Sequence, residues 1–172
     1  SFYDLFLTEK APPWADPNVL WSTEPAVRVL EEKRKHLMEI EMPANSRAIG
    51  EAAAKGDLSE NSEWQYAIEE QRRLQAKAQK MQDDLAKVRI LNPHDVPSDH
   101  VGVGSRVTLK RASDGEVIEL SFLGPYEADV QQRVYDYQTP IAQSLMGKTV
   151  GDSLTITLEG HEDEYTITRL GS

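Results

Sequence analysis

Two carboxylates three residues apart are the clearest candidates for chemistry in this chain. Asp57 and Glu60 lie in the sequence KGDLSEN, residues 55–61, called the tip segment here, between two long stretches of helical composition. Side chains three positions apart at a helix start share one face, so both carboxylates could be presented to one divalent cation. Mg²⁺ prefers oxygen ligands but keeps several waters, and two carboxylates alone hold it poorly. A partner or a substrate phosphate would have to supply the remaining ligands.

The same residues also fit a purely structural role. In a capping box, Asp57 would accept the backbone N–H of Glu60, and Glu60 would reach back to the backbone N–H of Asp57. Gly56 would then end the preceding helix, as glycine often does. The spacing alone leaves both interpretations open.

Composition limits the classes of protein that the chain can belong to. Its 172 residues have a net charge of −10, and 39% of them are hydrophobic, which predicts one or two folded units and argues against free DNA binding. There is no cysteine, no apolar run of membrane-spanning length and no signal-peptide pattern in SFYDLFLTEK. We expect a cytoplasmic protein without membrane contact. The sequence begins at Ser1 and not at methionine, which fits a fragment of a longer protein or a processed end.

Other catalytic patterns are missing. The four histidines have neither the spacing of metal ligands nor cysteine partners, so a zinc site is not expected: His36, His94, His100 and His161. The GVG at residues 102–104 lacks the lysine of a phosphate-binding loop and predicts a turn before a strand.

The chain divides into three segments by composition. Residues 1–22 contain Trp14, Trp21 and three prolines, and they predict an extended arm or linker. Residues 23–91 have helical composition and predict a long antiparallel coiled-coil hairpin with an acidic tip. Residues 92–172 change to short strand-like runs. They also hold 13 acidic residues against 6 lysines and arginines, whereas residues 24–91 hold 13 against 12.

Apolar spacing predicts how the two helical arms pack. The second arm has an alternating four-three spacing and the first arm a looser version of it. The predicted stripes are Ala67, Gln71, Leu74, Ala78, Met81, Leu85 and Val88 in the second arm, and Ala26, Leu30, Leu37, Ile40 and Ala44 in the first. Pro43 should kink the first arm or begin a new segment, because proline lacks a backbone donor. Each arm has about 31 residues, so the hairpin should extend roughly 45 Å from its base.

The last segment predicts a small antiparallel sheet carrying one short helix. Residues 105–111 and 116–122 flank Ala-Ser-Asp-Gly, a hairpin turn with Gly115 at the position that needs a positive φ angle. Further strands are predicted at residues 133–138, 153–158 and 164–169, and a short helix at residues 140–146.

Two stretches of this sequence resemble a known family. GDLSENSEW (residues 56–64) and EADVQQRVYDYQTPIAQSLMGK (residues 127–148) are similar to signatures of the bacterial GreA/GreB transcript-cleavage factors. The resemblance covers about residues 23–170. It implies an α+β fold, with a coiled-coil hairpin joined to an FKBP-like β domain that docks on RNA polymerase while the hairpin enters the secondary channel.

The resemblance also implies roles for individual residues. Asp57 would be a direct ligand of a catalytic Mg²⁺ shared with RNA polymerase, Glu60 a ligand or an orienter of water, and Asn61 a support of the turn. The polymerase would then cleave the 3′ end of backtracked RNA. The chain itself would be an accessory factor and not an enzyme, and alone it should not bind Mg²⁺ tightly.

Partner contacts follow from the same resemblance. Thr139, Pro140 and Ile141 would lie near the polymerase contact, and the chain would act as a monomer. Arginines that often flank the tip in this family are replaced here by Ala53 and Ile68. The remaining candidates for contact with the nascent RNA are Lys55, Arg72 and Arg73.

Two alternative functions remain open from the sequence. A channel binder that regulates or inhibits the polymerase without cleavage would fit the missing arginines, whereas Asp57 and Glu60 favour cleavage. An FKBP-like prolyl isomerase or chaperone would need a pocket lined by several aromatic residues. The aromatic residues of the last segment are more simply explained as ordinary strand residues.

Overall fold

The computed structural model describes residues 13–172, so the first part of the predicted N-terminal arm, residues 1–12, lies outside the described residues. The chain forms two compact units. One unit is Val27–Lys87, and the other combines the residues up to Ala26 with Val88–Ser172.

The first unit consists of helices that pack as an antiparallel pair. Arg34 donates a hydrogen bond to Gln82 and Asn45 donates one to the carbonyl of Ala67, so residues early in one arm meet residues late in the other. The helical elements are α1 (Glu24–His36), a π-helical segment (Leu37–Glu41), α2 (Met42–Ala53) and α3 (Ser62–Lys87).

The π-helical segment ends at Glu41, two residues before Pro43, where the sequence predicted a kink or a new segment. The backbone N–H of Met42 donates to the carbonyl of Leu37, five residues earlier, instead of to the residue four earlier. Pro43 has no N–H to donate, and it occupies the first turn of α2, where a missing donor costs little. The helix therefore continues through the proline with a wider turn.

The wider turn corrects the predicted stripe of the first arm. Leu30 and Leu37 are buried as predicted, but Ile40 is 56% exposed and Ala44 is also exposed. A π turn inserts one extra residue, and this rotates all later side chains around the helix axis by about 100°. The buried position after Leu37 is therefore Asn45.

The stripe of the second arm agrees with the prediction in α3. Ala67, Leu74 and Met81 are buried, at intervals of seven residues. Ala78 and Leu85 are partly buried against the same cluster, which also contains Leu30 and Leu37. The prediction that this arm is helical to residue 91 is wrong, because α3 ends at Lys87.

The second unit is built around a five-stranded sheet. Its strands are β3 (Arg106–Arg111), β4 (Val117–Leu123), β5 (Val134–Asp136), β6 (Ser153–Leu158) and β7 (His161–Gly171), and their order across the sheet is β5-β4-β3-β7-β6. The β3–β4 hairpin turns at Gly115, whose φ of 72° confirms the predicted positive φ. The short helix α4 (Pro140–Leu145) is also where it was predicted.

One pairing corrects the predicted antiparallel sheet. β5 runs parallel to β4, with Phe122 opposite Tyr135, so the sheet is mixed. A parallel neighbour requires a crossover, and here the connection of residues 124–133 contains a single 3₁₀ turn at Val130–Gln132. Alternation of apolar residues predicts a strand but not its direction, which is why the sequence did not reveal this.

A second, two-stranded sheet was not predicted. β1 (Leu20–Ser22) lies in the predicted arm and pairs in parallel with β2 (Val88–Ile90), which follows α3 directly. The backbone N–H of Trp21 donates to the hydroxyl of the buried Tyr137, 3.1 Å away, and Trp21 packs against the core of the second unit. In residues 13–172 no helix is long and apolar enough to cross a membrane.

Candidate functional site in the tip segment

The tip segment is an exposed turn between α2 and α3. Gly56 has a φ of 138°, a conformation that side chains rarely adopt, and a Cβ added there would meet nothing within 4 Å. Glycine is therefore needed for the backbone direction and not for space. All the residues of the segment are exposed except Asn61, which is half-buried.

Asp57 uses one of its two carboxylate oxygens to hold the turn. Its Oδ1 accepts the backbone N–H of Ser59 at 2.9 Å and the Ser59 hydroxyl at 2.8 Å. These two hydrogen bonds, the backbone one first, hold the pKa of Asp57 below its usual value, because each favours the ionised form. Within residues 13–172, Oδ2 accepts no hydrogen bond. Asp57 thus keeps its negative charge and one oxygen available.

The predicted capping box is wrong in its details. Asp57 accepts from the residue two positions on, and it precedes a single 3₁₀ turn, Leu58–Glu60, instead of an α-helix. The α-helix begins later, at Ser62. Its cap is Asn61, whose Oδ1 accepts the backbone N–H of Trp64 at 3.0 Å.

Asn61 also ties the two helices together, which confirms its predicted support of the turn. Its Nδ2 donates to the carbonyl of Ala52 at 2.6 Å, in the last turn of α2. One side chain thus adds a hydrogen bond to a carbonyl at the end of one helix and satisfies an orphan N–H at the start of the next. The fixed turn orients the residues between them.

Glu60 is the last residue of the 3₁₀ turn. Its side chain is exposed, and no hydrogen bond or ion pair engages its carboxylate anywhere in the part of the chain that the structure describes. Because Asn61 and not Glu60 caps α3, the capping role does not account for this carboxylate. Both acids of the tip segment therefore have oxygens that local structure leaves unused.

The basic candidates near the tip differ in how they are engaged. Lys55 forms an exposed ion pair with Glu63 at 2.9 Å, and this hydrogen bond raises the pKa of Lys55. Arg73 donates two hydrogen bonds to Glu70, at 2.9 and 2.6 Å. Arg72 is exposed, and within residues 13–172 it forms no ion pair. Exposed pairs of this kind are weak, so none of the three cations is fixed in place.

The predicted partner-contact residues lie in the other compact unit, at the start of α4. Thr139 precedes the helix, and its hydroxyl donates to the carbonyl of Asp136 at 2.7 Å. Pro140 is exposed, and Ile141 is half-buried against the core. This segment is thus a surface feature that a well-packed core supports.

No complete metal site was found in residues 13–172: no three His, Cys, Asp or Glu side chains are grouped to hold an ion. Asp57 and Glu60 are therefore at most part of a site. Lys55 is the nearest cation in sequence, and its pairing with Glu63 leaves the charge of Asp57 uncompensated by an ion pair within the described chain.

Comparison with known proteins places the chain in a class. The N-terminal domain model of transcription elongation factors matches residues 20–90, and the C-terminal domain model of the GreA/GreB elongation factors matches residues 96–171. The two models cover both compact units, in the expected order. They define a transcription elongation factor.

Individual relatives agree. Transcription elongation factor GreA of Treponema pallidum is 32% identical over 143 residues, which cover 81% of this chain and 88% of that protein. GreA of Chlamydia pneumoniae is 38% identical over 157 residues, which are 91% of this chain but only 21% of that longer protein. The chain belongs to the GreA/GreB family, whose members are accessory factors of transcription and not enzymes themselves.

A comparison with solved structures also gives a match. GreA factor homolog 1 (Gfh1) of Thermus thermophilus is 21% identical, and the match covers 90% of this chain and 99% of that one with a TM-score of 0.41. A score of this size does not define the arrangement of the two units.

Proposed function

We propose that this chain binds bacterial RNA polymerase through its secondary channel and stimulates Mg²⁺-dependent cleavage of backtracked RNA. The observation that carries the proposal is the exposed Asp57 carboxylate, held ionised by Ser59 with its second oxygen unengaged. A carboxylate with this geometry is suited to complete a site whose other ligands belong to a partner. Membership of the GreA/GreB family supports RNA polymerase as that partner.

The tip residues fit a shared Mg²⁺. Asp57 would offer Oδ2, and Glu60 would offer its unengaged carboxylate as a second ligand or as an acceptor that orients a water. Mg²⁺ bound there would stabilise negative charge on the phosphodiester and lower the pKa of an attacking water. Asn61 and Ser59 hold the turn, so that the carboxylates are oriented before binding.

The rest of the chain would position the tip segment within RNA polymerase. We infer that the antiparallel helices act as a coiled-coil hairpin that reaches into the channel. The sheet-containing unit would act as the FKBP-like docking domain, with Thr139, Pro140 and Ile141 near the contact. Its acidic surplus should make association sensitive to salt. Of the basic candidates for RNA contact, Arg72 is the one whose charge no partner in residues 13–172 engages.

Substitution of the tip acids tests the proposal. Asp57→Asn keeps the acceptor for Ser59 but removes the negative charge, and Glu60→Gln removes the second charge. Loss of a metal ligand or a charge-stabilising group should lower the rate of RNA cleavage in backtracked complexes by about 100-fold, by analogy with other electrostatic catalytic groups. Binding to polymerase should persist in both variants. Glu69→Gln, which removes an equal charge from an exposed position of α3, is the matched control and should cleave nearly normally.

The readouts separate the possible outcomes. Competition for polymerase measures binding, and gel analysis of labelled RNA measures cleavage in the presence of Mg²⁺. Normal cleavage by both tip variants would contradict the metal role. If the unaltered protein bound polymerase but never stimulated cleavage, the non-catalytic regulator would be the correct function.

A further inference from the structure

Trp14 and Trp21 line a pocket that the tip chemistry does not use. It has a volume of about 270 Å³ and lies within the sheet-containing unit. It is lined by Trp14, Trp21, Leu91 and Val103, and Asp95 is the one acidic residue among its lining residues. The pocket is therefore mostly apolar, with a charged group at one side.

Close packing holds the walls of this pocket in place. Trp14 lies against the ring of His100, with centroids 5.8 Å apart and planes tilted by 53°. Gly104 has a φ of 92°, and a Cβ there would lie 2.7 Å from a methyl carbon of Val96. This close approach lets the connection after β2 pack tightly beside the indoles. The pocket is a formed concavity and not a gap between loose side chains.

The charges around the pocket indicate the sign of its occupant. Asp95 is exposed, and within residues 13–172 its carboxylate takes part in no hydrogen bond or ion pair. His100, the other polar wall residue, is engaged by Asp99 at 2.7 Å. The unit that contains the pocket is acidic as a whole, since its residues 92–172 carry 13 acidic side chains against 6 lysines and arginines. A positively charged group is therefore favoured.

We propose that this pocket binds an arginine side chain presented by a basic segment of a partner protein. A guanidinium can stack on an indole face and donate two parallel hydrogen bonds to a carboxylate. Trp14 and Asp95, which both line the pocket, would supply these two contacts. The arginine methylenes would contact Leu91 and Val103. The pocket and the tip segment share no residue, so this site can exist whether or not the chain stimulates RNA cleavage.

Binding of a short peptide to the full chain tests the site. The probe is a fluorescein-labelled hexa-arginine peptide, followed by anisotropy, and its control is the same peptide with citrulline, which keeps the shape but lacks the charge. Asp95→Asn and Trp14→Ala should each weaken binding about fivefold, the size expected for an exposed cation–π contact or charge pair. Glu162→Gln removes the same charge elsewhere on the unit, and should change the Kd by less than about twofold.

The variants make the result decisive. Asp95 is exposed, so Asp95→Asn should leave the fold intact, and equal melting curves verify this. The proposal is overturned if the citrulline peptide binds as tightly as the arginine peptide. It is equally overturned if no saturable binding occurs at millimolar peptide, or if Asp95→Asn and Glu162→Gln weaken binding alike, since the attraction would then be general.

Discussion

The two compact units differ greatly in how many side chains they bury. The tip segment belongs to the unit that buries fewer. The main cluster of the helical unit has four buried residues, Leu30, Leu37, Leu74 and Met81. The core of the sheet-containing unit has fifteen. A helical pair with one narrow seam leaves most of its surface, including the tip segment, unneeded for folding. Core packing therefore places little constraint on the exposed Asp57 and Glu60.

The largest expected effect on stability is in the sheet-containing unit. Phe122, on β4, is fully buried, and Phe122→Ala should lower the free energy of unfolding by about 3–5 kcal/mol because it leaves a cavity. Val117→Ala on the same strand, where the side chain is 60% exposed, is the control and should cost much less. Urea denaturation followed by circular dichroism measures both. Similar losses would mean that this core is not what stabilises the unit.

The helical unit should respond less, and with a pattern that tests the π-helical segment. Leu37 is fully buried, and Leu37→Ala should cost about 2–3 kcal/mol, at the low end for leucine, because a thin seam can partly collapse. Ile40→Ala should cost less than about 1 kcal/mol, since its side chain is 56% exposed. Hydrogen exchange of α1 to α3 measures these changes locally. If Leu37→Ala and Ile40→Ala lowered the stability equally, the stripe predicted from the sequence, with Ile40 buried, would be correct.

This pair of residues also shows what the sequence could predict. Heptad spacing located α3 and its buried positions, because apolar side chains in a regular helix recur with a fixed period. It misplaced Ile40 and Ala44 because the inserted residue of a π turn changes the phase without changing the composition. Pro43 was the available signal, and it indicated a break without saying how the backbone would accommodate it.

The candidate site was predicted in part for a similar reason. The identity of Asp57 and Glu60 as acids of the tip followed from the sequence, but the hydrogen bonds of Asp57 did not. Asp57, Ser59 and Asn61 are all good capping residues, and only the backbone geometry decides which of them caps the α-helix. β1 was missed because a three-residue strand in a proline-rich arm has too few residues to show alternation.

Gly124 in the sheet-containing unit and Gly50 in the helical unit should respond in opposite ways to substitution by alanine. A Cβ at Gly124 would lie 2.2 Å from the carbonyl oxygen of Trp21, so Gly124→Ala must displace backbone and should cost about 1–3 kcal/mol. Gly50 lies inside α2 with nothing within 4 Å of such a Cβ, and Gly50→Ala should stabilise the protein by about 0.5–1 kcal/mol. Thermal melts should show a lower melting temperature for Gly124→Ala and a higher one for Gly50→Ala. A destabilising Gly50→Ala would show that α2 is not a regular helix at that position.

The smallest expected effect on stability is that of Asp57→Asn. Its pH dependence shows whether the ionised Asp57 carboxylate stabilises the turn. Asp57→Asn should barely change the melting temperature at pH 7, because the amide oxygen can still accept both hydrogen bonds from Ser59. The ionised carboxylate accepts them somewhat better, and this is why its pKa lies below the usual value in the folded chain.

A lowered folded pKa stabilises the protein above the unfolded pKa of about 3.9, and the contribution disappears as the pH falls through the folded value. The slight advantage of the unaltered protein over Asp57→Asn should therefore be constant from pH 7 to about pH 5, and vanish in stronger acid. Melting curves of the two proteins across this range measure it. An advantage that grew in acid would mean that Ser59 does not hold the ionised form of Asp57.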